Sequence, residues 1–229
     1  MKEPQILLED DSILVMNKPS GWVVNRCETA GEQTIQSWLE KYLKIPDKGI
    51  GRRAGIVHRL DKETSGILLV AKTPAAFENL QNQFKERRVE KRYLALVHGQ
   101  VVPKCGIIRA SISRSPFNRK KFGVFLGGRE AETGYRILRY YGDFTLLELM
   151  PKTGRTHQIR VHLKYVRHPV VGDEFYAGRK TARSDRQWCP RQFLHACYLK
   201  FIHPKTGKSL EIVCNLPSDL EKALERLER

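Results

Sequence analysis

The chain has no apolar run approaching the roughly 20 residues that a membrane-spanning helix needs, and its basic residues are scattered instead of lining one amphipathic helix. A spanning segment and a membrane-surface helix are therefore both unexpected. Cysteine is scarce and poorly arranged for chemistry: Cys27, Cys105, Cys189, Cys197 and Cys214 are odd in number, widely spaced and without a C-x-x-C pair. This argues against a disulfide framework and a redox site, and leaves reduced, structural thiols. Cys189, His195, Cys197 and His203 lie near one another in sequence, but their spacing fits no zinc pattern, and Leu194, Cys197, Leu199 and Phe201 read as strand core. Neither a metal nor a cofactor is expected. Acidic residues are in deficit, 25 Asp and Glu against 41 Lys and Arg, for a formal net charge of +16. Such an excess favours a polyanionic partner, with nucleic acid as the first choice. The opening MKEPQILLEDD has no basic segment followed by an apolar stretch and no transit-peptide character, which predicts a cytoplasmic location.

What is present suits a folded domain. At 229 residues and 41% hydrophobic, the chain can build one sizeable core or two closely packed halves. Without a repeat or a low-complexity linker, a single domain over 1–229 is the simplest expectation, with a monomer as the default state. Ile35, Trp38, Leu39, Tyr42 and Leu43 recur at helical spacing after Thr34, and Phe77, Leu80 and Phe84 do so after Pro74. Strands are predicted at 13–16, 67–71, 93–97, 107–112, 134–138, 144–149, 194–201 and 210–214. Most of the connections lack a crossover helix. The expected class is α+β, with a mixed, largely antiparallel central sheet flanked by helices.

The most informative stretch is 55–73, GIVHRLDKETSGILLVAKT. It places Asp61 between charged residues and the turn formers Thr64, Ser65 and Gly66, which lead into an apolar run of strand length. An acid before Thr-Ser-Gly is often only a turn or a helix cap. The whole string is more specific: HRLD at 58–61 followed by TSG at 64–66 resembles the signature loop of the RluA-type pseudouridine synthases. Three further segments agree in order. ILVMNKPSGWVV at 13–24 resembles that family's opening strand and turn, KRYLALVHG at 91–99 the segment bearing its active-site tyrosine, and TGRTHQIRVHL at 153–163 the segment that supplies an arginine. Weaker matches are AET at 131–133, HPVVGDEFYAG at 168–178 and LHA at 194–196.

The resemblance implies a pseudouridine synthase fold with a cleft across the sheet, and activity on uridines of structured ribosomal or transfer RNA. It assigns the catalytic roles to Asp61, Tyr93 and Arg160. Within 156–166, Ile159, His162, Leu163 and Val166 share one helical face while Arg155, Arg160 and Lys164 fall elsewhere, so an amphipathic helix with a solvated basic side is the plainer reading. In the family's context Arg160 becomes the partner of Asp61, because a guanidinium can grip a carboxylate with two parallel bonds and keep it charged. Tyr93 would stack on the uracil, and Arg59, with His58 beside it, would fill the space vacated by a flipped base. A basic stretch of Arg109, Arg114, Arg119, Lys120, Lys121 and Arg129, interleaved with Phe117 and Phe122, would hold the RNA phosphates, with Arg52, Arg53 and Arg155 adding contacts. Leu216 is a candidate pocket-lining residue. Because the sequence opens almost at the first strand of the catalytic domain, an amino-terminal RNA-binding module is not expected. Two other readings stand beside this one: a noncatalytic RNA-binding relative, and a hydrolase using Asp61 as a base. The second is weakened by the lack of a carboxylate cluster or histidine pair near Asp61.

Overall fold

A computed structural model describes residues 3–26, 33–44, 53–118 and 121–228. Along the chain lie β1 (Gln5–Glu9), β2 (Ile13–Lys18), α1 (Ile35–Tyr42), β3 (Ser65–Ala71), α2 (Pro74–Lys85), β4 (Glu90–His98), β5 (Cys105–Arg109), β6 (Ile112–Arg114), β7 (Phe122–Val124) and β8 (Glu132–Tyr141). They are followed by β9 (Phe144–Pro151), α3 (Gln158–Tyr165), α4 (Arg179–Asp185), β10 (Leu194–Ile202), β11 (Ser209–Val213) and α5 (Ser218–Leu227). The class is α+β, and every strand pairing of known register is antiparallel. The chain divides into two compact units, Met1–Glu90 with Ala196–Cys214, and Lys91–His195 with Asn215–Arg229.

In the first unit β2 lies between β1 and β3, β10 lies beside β3, and β11 pairs with β10. All seven residues of β3 are buried, which is why 67–71 is a continuous apolar run and not an alternating one. Helix α2 starts where its sequence says it should: the Thr73 side chain accepts from the Ala76 N–H, and Pro74 occupies the first turn, where no amide donor is needed. Its Ala76 and Leu80 bury against Ile13, Val15, Leu69, Leu199 and Phe201. Gln83 then fixes α2 to β10, donating to the Ile202 carbonyl at 2.7 Å and accepting its N–H at 2.9 Å. Thr34 and Ser37 close a reciprocal capping box at the start of α1.

In the second unit the strand order is β4-β9-β8-β5. The run Ala95, Leu96, Val97 shows the strand period directly. Ala95 and Val97 pack with Leu147, Leu149, Ile159 and Leu163, on the side covered by α3, whereas Leu96 packs with Phe193, Leu220 and Ala223, on the side covered by α5. The predicted strand 107–112 is in fact two. It breaks at Ala110 and Ser111, and Ile112 begins the short hairpin β6–β7. Beyond the predicted elements, the structure adds β1, β7, α4 and α5.

Candidate active site

In the first unit the loop carrying Asp61 is held at both ends. At its entry Gly55 adopts φ +78°, and a Cβ there would lie 1.9 Å from the Ala71 carbonyl oxygen, far inside van der Waals contact. This close approach lets the Ala71 N–H donate to the Gly55 carbonyl at 2.9 Å. Two residues before that, the Leu69 N–H donates to Nε2 of His58 at 2.9 Å. The imidazole thus stands where a neighbouring strand would offer a carbonyl, with its proton on Nδ1, and its ring stacks on Phe84 at 4.9 Å. Leu60 is buried, Asp61 half-buried and Arg59 exposed. A turn closes from the Thr64 N–H to the Asp61 carbonyl at 3.1 Å, followed by the buried Thr64 and Ser65. At the exit Gly66 has φ +114°, and a Cβ would meet the Ala196 carbonyl oxygen at 2.2 Å.

The same loop is tied to the Asn-Lys-Pro-Ser-Gly turn through a lysine to which the sequence alone assigns no role. Lys18 is completely buried at the end of β2, and its ammonium donates to the carbonyls of Pro19 at 3.0 Å, Trp22 at 3.0 Å and Lys62 at 3.2 Å. Three carbonyl oxygens match the three donors of an ammonium, which is how a buried charge is tolerated. The Gly21 N–H adds a second bond to the Lys62 carbonyl, at 2.8 Å. The residue following Asp61 is therefore fixed from two directions.

In the second unit Tyr93 lies half-buried on β4 opposite Leu149 and packs against the cluster that contains Ile159 and Leu163. Arg160 lies on α3 and is 5% exposed. Its Nε and Nη2 bind Asp173 Oδ2 at 2.7 Å and Oδ1 at 2.9 Å, a two-bond grip that fixes the plane of the guanidinium. Asp173 Oδ1 also accepts from the N–H groups of Phe175 at 3.0 Å and Tyr176 at 3.2 Å. This brings both rings against the arginine, its Cζ lying 5.0 Å from the Tyr176 centroid and 5.8 Å from that of Phe175. Asp173 falls in the HPVVGDEFYAG segment that matched the family only weakly. An acid there was the available signal, but nothing in the spacing linked it to Arg160.

The start of α3 is built by a polar network. His157 precedes the helix in a left-handed conformation, φ 56°, uncommon for a residue with a side chain. Gln158 accepts from the Arg155 N–H and the Thr153 hydroxyl, and donates to the Glu132 carbonyl and the Thr133 hydroxyl, all within 3.0 Å. His162, fully buried one turn later, donates from Nε2 to the Ala110 carbonyl at 3.0 Å and so accepts from Thr133 at Nδ1, at 2.9 Å. Burial pushes its pKa below the ordinary histidine value, against a smaller opposing effect of the Ala110 carbonyl.

The basic candidates have individual surroundings. Arg109 on β5 pairs with Glu132 at 2.9 Å, Arg114 on β6 lies over the Phe122 ring at 5.3 Å, and Arg155 donates to the Glu130 carbonyl at 3.0 Å. Lys121 enters β7, and Arg53 and Arg129 are exposed. Arg52, Arg119 and Lys120 lie outside the described residues, as does Cys27. Leu216 packs against the cluster of Leu96, Val171, Phe193 and Leu220. Among the described residues no group of three or more His, Cys, Asp or Glu is arranged to hold a metal ion, and no helix is long and apolar enough to cross a membrane.

The profile of the RNA pseudouridylate synthase family matches residues 12–165, which include Lys18, Asp61, Tyr93 and Arg160. An "Uncharacterized RNA pseudouridine synthase" of Chloroflexus aurantiacus is 43% identical over 93% of the chain and 66% of its own length. The "Ribosomal large subunit pseudouridine synthase C" of Vibrio cholerae is 39% identical, with 97% of this chain and 69% of the relative covered. The chain thus spans about two thirds of the length of these relatives. Among solved structures, human "RNA Pseudouridylate Synthase Domain Containing 1" superposes with a TM-score of 0.73 at 30% identity, covering 99% of this chain and 95% of that one. On fold and sequence together, the chain belongs to the RluA-type branch of the RNA pseudouridine synthases, a family of RNA-acting isomerases.

Proposed function

We propose that this chain, acting as one catalytic domain over 1–229, converts specific uridines of structured ribosomal or transfer RNA to pseudouridine, with Asp61 as the catalytic carboxylate and Tyr93 and Arg160 as its partners. The reaction breaks the bond from ribose carbon 1' to nitrogen 1 of uracil, turns the freed base and rejoins it through carbon 5. Substrate and product are isomers, so the balance closes with a proton moved from carbon 5 to nitrogen 1. A carboxylate suits the opening step, either as a nucleophile toward ribose or base, or as a base that takes the ribose 2' proton. Arg160 would keep the acid charged and oriented, and Tyr93 would stack on the uracil and relay protons.

Because a uracil in a folded RNA is stacked, the enzyme would extract it at a cost of a few kcal/mol. Arg59, exposed beside Asp61, would occupy the vacated place. Phosphate contacts from the basic β6–β7 region would supply most of the affinity for a stem-loop. A cytoplasmic monomer is the form in which we expect it to act.

The observation that carries this reading is the ordered presence of Asp61, Tyr93 and Arg160 within the span matched to the family. The test is to map pseudouridines across total RNA from cells with and without the gene, and then to repeat the reaction in vitro on the RNA so identified. Asp61→Ala is expected to abolish product while retaining most RNA binding. Product at the normal rate from that variant would refute the assignment.

A further inference from the structure

We propose that Tyr176 is a positioning residue that docks the β6–β7 hairpin, as an RNA-contacting arm, onto the segment that holds Arg160. The idea rests on the pseudouridine synthase reading for its RNA half, and on geometry alone for its docking half.

The hairpin has three residues in each strand, paired Ile112↔Val124, Ser113↔Gly123 and Arg114↔Phe122. A two-stranded ribbon of that size is at best marginally stable alone and takes its orientation from whatever it rests on. Here Ile112 is buried together with Ala131, Val161 and Tyr176, while Phe122 and Val124 pack on the same cluster. Tyr176 is 6% exposed, and its hydroxyl accepts the N–H of Phe122 at 3.1 Å. That amide points away from the β6–β7 ladder, so the tyrosine completes an edge that the small ribbon cannot complete itself.

The hydroxyl also shares a 2.8 Å hydrogen bond with Nδ1 of His157, the left-handed residue that opens α3. The His157 ring meets Phe122 edge-on at 5.6 Å. At its other end Tyr176 belongs to the arginine: the ring lies against the Arg160 guanidinium, and its backbone N–H is bound by Asp173, the acid that grips Arg160. One side chain thus touches the basic hairpin through its oxygen and the candidate catalytic arginine through its face. The two contacts are separable, because removing the oxygen leaves the ring in place.

The experiment is Tyr176→Phe in the full chain, read in two ways. Hydrogen exchange on the free protein should show faster exchange at Phe122 and along the hairpin, with α3 beyond its His157 end unchanged. Steady-state kinetics on the RNA substrate should show KM raised about five- to tenfold, the usual worth of one hydrogen bond, with kcat held within about twofold. The double variant Arg114→Ala/Lys121→Ala should raise KM as well, and adding Tyr176→Phe to it should produce a less than additive effect. Unchanged exchange at Phe122, a fall in kcat at constant KM, or full additivity with the hairpin variant would each overturn the proposal. A wild-type protein that forms no pseudouridine would instead refute the functional reading, and the exchange result would still decide the docking.

Discussion

Asp173 grips Arg160 along the Nε–Nη2 edge with both carboxylate oxygens, at 2.7 and 2.9 Å, and both partners are withdrawn from water. A buried pair of this kind is costly to break from one side, because the survivor keeps its charge without compensation. Asp173→Asn is therefore expected to destabilise the protein by about 3–5 kcal/mol, measured as a lowered denaturant midpoint. Arg160→Lys should not restore activity, since an ammonium cannot reproduce a two-bond planar contact. Wild-type stability in Asp173→Asn would show that the grip is incidental.

Lys18 makes the corresponding contribution beneath Asp61. Lys18→Met keeps the length and apolar stem but removes the ammonium donor from the carbonyls of Pro19 and Trp22, while that of Lys62 keeps the Gly21 N–H. A destabilisation of about 2–4 kcal/mol is expected from such unsatisfied groups. Limited proteolysis should place the damage in 58–66, leaving α3 and the β8–β9 pair as protected as before.

The pH response follows from His162. Its pKa is lowered in the folded state, so between that value and the ordinary one near 6.5 the unfolded chain binds a proton that the folded chain refuses. Stability from this group is complete above about pH 6.5 and falls as the pH drops below it. Protonation would also set two donors, Nδ1–H and the Thr133 hydroxyl, against each other. Urea midpoints at pH 7.5 and 5.5 should therefore differ by less in His162→Gln than in the wild type; equal differences would exclude His162 as the source.

The hairpin charges predict a salt effect. Arg114→Ala/Lys121→Ala should weaken RNA binding and flatten the slope of log affinity against log salt by about one for each phosphate that is no longer neutralised. Titrations from about 50 to 200 mM salt cover the range in which such slopes are readily resolved. An unaltered slope would show that neither residue touches a phosphate.

The buried runs were the legible part of the fold. The continuous stretch after Ser65 and the run around Leu96 identify strands because both of their faces are covered. Thr34 and Pro74 mark helix starts that the structure contains, the first as a cap and the second in the first turn. Edge and terminal pieces leave weaker signals: β1 has no fully buried residue, and α5 shows only the helical spacing of Leu220, Ala223 and Leu227 after Pro217. Ile107 and Ile112 read as one strand because apolar content, not pairing, was visible; the break at Ala110 follows from where the hairpin folds back. At the candidate site, motif context singles out Asp61, Tyr93 and Arg160 as candidates. It does not single out their supports. The carbonyls around Lys18 have no side-chain signature, and the Asp173 and Tyr176 contacts are set by a loop that returns to α3 after leaving it.

Gly66 has a consequence for how this enzyme could be altered. Since the oxygen of Ala196 fills the volume that any larger residue at 66 would need, the end of the acid-bearing loop is indexed against β10 at atomic spacing. Sliding either segment would drive a methyl group or more into a carbonyl. Exposed positions such as Arg59 could therefore be substituted without shifting the Asp61 side chain, whereas insertions beside Gly66 would move it at once.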